Sequence, residues 1–112
     1  MEQSVIVIQD DRGGLIGDYI AKLMQARTIH ARVEIRGKCF SACTLLAAAP
    51  DVCVGPEAEF GFHSTSVPST DGVLLAYYPA PIKEWLRKRG GLNDNPKFLK
   101  GEKLETIFKE CD

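Results

Sequence analysis

The chain has 112 residues, 45% of them hydrophobic, which fits one domain over 1–112 whose core forms only if most apolar residues are buried together. Its 14 basic and 15 acidic residues leave a net charge of −1, so charge gives no reason to expect nucleic acid or an anionic membrane as partner. No apolar run reaches the length of a membrane span, and Met1-Glu2-Gln3-Ser4 lacks the basic flank and long apolar stretch of a signal peptide. Taken as it stands, the chain is expected to be soluble and cytoplasmic.

Ser4 to Gln9 is a continuous apolar run rich in β-branched residues, the pattern of a strand buried on both faces. Asp10 to Gly14 is a turn by composition. From Leu15 to Arg27, apolar residues at Leu15, Ile16, Tyr19, Ile20, Leu23 and Met24 step by three and four, which predicts an amphipathic helix. Ala31 to Arg36 alternates as a second strand, and Gly37-Lys38 turns the chain. Ser41 to Ala49 is small and apolar all round, as in a buried helix, and Pro50 ends it. Val52 to Val54 and Ala58 to His63 are two short strands. This order of strand, helix, strand, helix, strand predicts an α/β layer fold with right-handed crossovers.

Ser64 to Gly72 is a loop by composition, and Val73 to Tyr78 suits either strand or helix. Pro81 to Lys88 is expected as a helix with Ile82, Trp85 and Leu86 inward, ended by Gly90-Gly91. Asn93 to Pro96 is a loop. Glu102 to Lys109 is expected as a last short helix with Leu104, Ile107 and Phe108 inward.

The cysteines are Cys39, Cys43, Cys53 and Cys111, which allow three pairings if bridged. Their C-x3-C-x9-C spacing is a poor zinc pattern, so no metal is expected; small buried hydrophobes are the alternative to bridges.

Three features can be assembled into one chemical site. Ser41 stands where a strand meets a buried helix, in Gly37-Lys38-Cys39-Phe40-Ser41-Ala42-Cys43. Free N–H groups there favour developing negative charge, while the plainer reading of Ser41 is an N-cap. His63 follows Gly61-Phe62 at the end of a strand, and an imidazole can take and return a proton near neutrality. His30, the only other histidine, has no candidate nucleophile beside it in sequence. Gly13-Gly14 lets the backbone approach a ligand, so amides of this turn with that of Ala42 could form an oxyanion hole; the alternative is a plain turn.

The succession strand, G-G, helix, strand, G-x-x-x-S-A, helix, short strands, F-H resembles the proteolytic subunit of Clp protease and its crotonase-fold relatives. It is closer still to small bacterial Clp-protease-like proteins with G-x-C-x-S-A-C-T, C-V and G-F-H, here Gly37, Cys39, Ser41, Ala42, Cys43 and Thr44, then Cys53-Val54, then Gly61-Phe62-His63. Tyr78-Pro79, Trp85, Gly90-Gly91-Leu92, Leu99, Gly101, Leu104 and Cys111 are also similar to theirs. The resemblance covers nearly the whole chain, and Gly37 to His63 is its specific part.

The resemblance implies a pared-down Clp-protease/crotonase-like layered α/β fold of repeated β-α units. It implies a serine-type peptidase in which Ser41 is the nucleophile, His63 the base, and Gly14 and Ala42 the oxyanion amides. A peptide or protein is the implied substrate, no cofactor is needed, and a homo-oligomer is allowed, as is a periplasmic or exported location. The family's acid comes just before an apolar F-L pair. Here Pro96-Lys97 precedes Phe98-Leu99, so Asp94 is the nearest carboxylate, with Asn95 or Asp71 as substitutes. Family chains also usually carry a further strand before the first G-G unit and are much longer. No long insertion between His63 and the C-terminal helices is present to stack rings, so a barrel with an ATPase partner is not implied.

Two rival readings stand beside this one. A non-catalytic crotonase-fold binding or assembly module would keep the sheet without the acid. Thiol chemistry at Cys39 or Cys43 would need a pair at other than the usual redox spacing. If the cysteines are bridged, joining Cys39 or Cys43 to Cys53 or Cys111 would pin the junction around Ser41.

Overall fold

Strand β1 (Val5–Asp11) and helix α1 (Ile16–Ile29) lead into the longest strand, β2 (Arg32–Phe40), in a computed structural model that describes residues 3–65 and 70–112. Strand β2 runs directly into a 3-10 helix, Ser41–Ala48, followed by β3 (Asp51–Val54) and β4 (Glu59–Phe62). Helices α2 (Asp71–Tyr77) and α3 (Ala80–Arg87), strand β5 (Lys97–Lys100), helix α4 (Glu102–Glu105) and strand β6 (Lys109–Glu110) complete the order.

Helix α1 forms for the reason its spacing predicts: Tyr19, Leu23 and Ala26 recur on one stripe and are buried. His30 stops it in a left-handed conformation, φ 52°, and the N–H of Ala31 then bonds back to the Ala26 carbonyl. His30 is therefore a helix terminator with an exposed ring.

The sheet is built around β2. Strand β1 pairs with it in parallel along one edge. The other edge is shared: Arg32 to Ile35 pair with β3, and Lys38 to Phe40 pair with β4, both parallel. Strand β5 adds antiparallel to β4, and β6 adds parallel to β3. Because β3 stops at Val54 and β4 begins at Glu59, the C-terminal end of β2 is delivered beside β4 and hence beside His63.

The register of β1 on β2 slips between Ile8 and Asp10. Opposite the slip stands Gly37, where a Cβ would collide with the Gln9 carbonyl oxygen, so this approach admits only glycine. The core gathers Leu23, Val33, Ile35, Leu45, Leu46, Phe60, Phe62, Ile82, Leu86, Leu99 and Leu104, each essentially without solvent contact. The radius of gyration, 13.1 Å, matches the ~13 Å expected of a compact chain of this size. The chain is thus a compact mixed α/β domain, and no helix of its described residues is long and apolar enough to cross a membrane.

Several expectations need correction. Strand β1 is not buried on both faces: among the described residues it pairs with β2 alone, and Val5 and Val7 are each about half exposed. The ambiguous Val73–Tyr78 stretch is helical, since its start belongs to α2. The last helix ends at Glu105; residues 106–108, expected to continue it, form a turn, and Lys109 begins β6. The loop expected at Ser64–Gly72 includes 66–69, which lie outside the described residues, and α2 already begins at Asp71.

The cysteines form two bridges, Cys39–Cys43 and Cys53–Cys111. The expected link from the Ser41 junction to Cys53 or Cys111 is therefore absent. The junction is closed on itself instead, and the second bridge fastens the end of the chain to β3.

Candidate functional site

Ser41 begins the 3-10 helix with φ 57°, in the left-handed region. For a non-glycine residue this conformation costs on the order of 1–3 kcal/mol and persists only where neighbours enforce it. The helix cap is Phe40, and no side chain caps this end, so the plain reading of Ser41 as an N-cap is set aside. Its hydroxyl is left for other work.

Three devices hold Ser41 in this shape. The Cys39–Cys43 bridge closes a ring around it. The Thr44 hydroxyl donates to the Ser41 carbonyl at 2.6 Å. Since that hydroxyl has spent its hydrogen, the 2.5 Å contact between Thr44 and Tyr78 is a donation from Tyr78 to Thr44. Thr44 is fully buried, and the Tyr78 phenol is pushed up to about 12, chiefly by burial. The third device is Gly13, φ 91°, where a Cβ would lie 2.8 Å from the Phe40 oxygen and 2.8 Å from the Ser41 Cβ. The glycine turn therefore packs directly on the serine junction.

That turn is fixed from behind. One oxygen of Asp11 accepts from the Gly13 N–H at 2.9 Å and from the Tyr19 hydroxyl at 2.6 Å. Burial first, then the hydrogen bond to Asp11, pushes the Tyr19 phenol up to about 12. Asp11 and Tyr19 thus serve the conformation of the Gly13-Gly14 turn.

His63 follows β4 directly. Gly61, two residues earlier, lies against Phe40: a Cβ there would come within 2.6 Å of the Phe40 ring. The glycine lets β4 close on the end of β2, which carries His63 toward the serine junction. The His63 ring is exposed, and its Nδ1 lies 2.6 Å from the Ser64 carbonyl oxygen. A carbonyl can only accept, so Nδ1 carries the hydrogen, and in the neutral ring Nε2 keeps the lone pair.

Gly14, Leu15, Ile16, Ser41, Ala42, His63, Thr65, Thr70 and Leu74 line one cleft of about 370 Å³. The structure thereby brings four of the residues singled out in the sequence, Gly14, Ser41, Ala42 and His63, to one place. Leu15 and Ile16, which the sequence reading placed on a helix face, and Leu74, from the stretch it left ambiguous, give the cleft an apolar wall. Among the described residues, no hydrogen bond joins the Ser41 hydroxyl to the His63 ring. A larger hollow of about 550 Å³, lined by Asp10, Arg36, Lys38, Glu57, Glu59 and Lys100 among others, is mixed in charge and holds neither Ser41 nor His63.

Asp94 and Asn95 do not line the cleft. Asn95 uses its N–H on the Asn93 side chain within its own turn, and Ser64 meets this turn at the Asn93 carbonyl, which accepts from its N–H at 2.8 Å. Asp71 is better placed. Its carboxylate accepts from the Ser64 hydroxyl at 2.7 Å and from the Thr65 N–H at 2.8 Å, directly after His63. These bonds, the Thr65 N–H first, hold the Asp71 carboxyl below the usual aspartate range, and the nearby His63 adds to the effect.

Among the described residues no group of three or more His, Cys, Asp and Glu side chains gathers as metal ligands would. Cys39 and Cys43 are bonded to each other and both are fully buried, so as placed neither offers a thiolate to the cleft. No protein-family model, curated protein or solved structure matches the chain.

Proposed function

We propose that the chain is a serine-type hydrolase of Clp-protease/crotonase-like fold, acting on peptide or ester carbonyls by acyl transfer. The observation that carries this reading is the shared cleft of Ser41, His63, Gly14 and Ala42, residues drawn from three separate segments. A second support is the left-handed backbone of Ser41, because strain of this kind clusters where a side chain must be aimed.

In the proposed step, Nε2 of His63 takes the proton of the Ser41 hydroxyl as its oxygen attacks the carbonyl carbon. The N–H groups of Gly14 and Ala42 receive the developing oxyanion. The imidazolium returns its proton to the leaving group, and water, deprotonated by the same ring, releases the acyl chain. Direct contact between hydroxyl and ring is often completed only when substrate is bound, so the lack of a hydrogen bond between them is compatible with the step.

Labelling with a fluorophosphonate probe tests the reading. Wild type should label, Ser41→Ala should not, and His63→Ala should label about 100-fold or more slowly. Labelling that persists in Ser41→Ala removes Ser41 from the role. The rival, a binding or assembly module of the same fold, draws on the missing hydrogen bond between Ser41 and His63. A folded wild type inert to the probe and to a broad ester and peptide panel would favour it.

A further inference from the structure

We infer that Asp71 is the positioning residue of His63, acting through the backbone: it pins Ser64-Thr65 so that the Ser64 carbonyl holds the imidazole by its Nδ1–H. This rests on the hydrolase reading for its use in catalysis, but the arrangement itself can be measured without turnover.

The argument starts from the ring. In a serine–histidine site the base needs one nitrogen bare toward the nucleophile and the other anchored, usually by a carboxylate. No carboxylate among the described residues bonds His63; the acceptor on Nδ1 is the Ser64 carbonyl at 2.6 Å. A carbonyl belonging to the next residue in the chain orients a ring only if that residue is itself immobilised. Ser64 is held at three points. Its N–H donates to the Asn93 carbonyl at 2.8 Å, its hydroxyl donates to Asp71 at 2.7 Å, and the following N–H, of Thr65, donates to the other Asp71 oxygen at 2.8 Å. Two of these three belong to Asp71, which uses both carboxylate oxygens on consecutive residues of one short segment. Asp71 in turn sits at the start of α2, whose Leu74 is buried and lines the same cleft. The acid expected at Asp94 is thus replaced by a carboxylate that works one residue removed, with the peptide carbonyl as its intermediary.

Ring-nitrogen NMR of uniformly 15N-labelled protein decides the matter, with His30 as internal control. In wild type, neutral His63 should be the Nδ1–H tautomer. In Asp71→Ala it should revert toward the Nε2–H form common in free imidazole, while His30 is unchanged. Asp71→Asn should keep the tautomer, because the amide oxygen can still accept from the Thr65 N–H and the amide nitrogen can donate to the Ser64 hydroxyl oxygen. A His63 tautomer indifferent to Asp71→Ala, or altered by Asp94→Ala instead, overturns the inference. Probe labelling of Ser41 is expected to slow about 100-fold in Asp71→Ala, since a misplacement near 1 Å costs about that factor, and to recover largely in Asp71→Asn. Failure of wild type to label would count against the hydrolase reading alone, because the NMR outcome does not depend on it.

Discussion

Tyr78 joins the two halves of the candidate site through one side chain. Its hydroxyl supports Thr44, which holds the Ser41 carbonyl, and its ring meets Phe62 edge-on at 5.4 Å, one residue before His63. Tyr78→Phe keeps the ring and removes only the donor. The cost should be about 1 kcal/mol of stability, read by chemical denaturation, because Thr44 can still donate to Ser41. Reactivity of Ser41 with the probe should fall as well, since the left-handed backbone loses part of its support. The same phenol predicts an alkaline limit. Unfolded tyrosines ionise near 10, whereas Tyr19 and Tyr78 keep their protons to about 12 in the fold. Between these values the unfolded chain binds fewer protons than the folded one, so stability is full below pH 10 and is lost as pH rises toward 12. Thermal melts across that window should show the loss, and Tyr78→Phe should reduce its slope.

At the scale of elements, the two bridges do different work. The chain-entropy relation assigns roughly 2 kcal/mol to closing a separation of 4 residues and roughly 4 kcal/mol to one of 58. Replacing Cys39 and Cys43 together by alanine should therefore cost the smaller amount in denaturant, leave far-UV circular dichroism intact, and slow Ser41 labelling. Replacing Cys53 and Cys111 should cost the larger amount and spare labelling wherever the protein is folded. Equal effects of both double variants on labelling would deny the Cys39–Cys43 ring its local role. The elements also mark what could be read in advance. Helices α1 and α3 declare themselves by apolar residues three and four apart. Strand β5 does not: only Leu99 of Lys97–Lys100 is buried, and its pairing with β4 exists only in three dimensions. Likewise the motifs around Ser41 and His63 were legible because they are contiguous. Asp71 was obscured because its partners are backbone and a serine hydroxyl, which no residue spacing announces.

Over the whole molecule, one carboxylate links the two sides of the sheet's lower edge. Asp51, at the start of β3, accepts from the Gln3 side-chain amide at 2.9 Å and from Lys109 of β6 at 2.7 Å. The hydrogen bond from Lys109, then that from Gln3, lowers its ionisation below the usual aspartate range. A depressed folded value gives stability that is present above the unfolded value and lost as pH falls through the folded one. Melting temperature should thus drop progressively from about pH 5 downward, and Asp51→Asn should flatten part of that decline. An acid limb identical in Asp51→Asn would remove Asp51 as a contributor. Asp71 shares the sign, so acid should loosen the His63 anchor together with the fold.

The close approaches of Gly13 to Ser41, Gly37 to Gln9 and Gly61 to Phe40 all fall around the last turns of β2. Their shared consequence concerns divergence. In a saturation library selected only for folding, these three positions should reject every larger residue, while Leu15 and Gly72 on the surface accept many. Descendants of this chain could then drift freely across helices and loops, yet would inherit the triplet unchanged, and with it the close packing of the glycine turn and β4 around the end of β2.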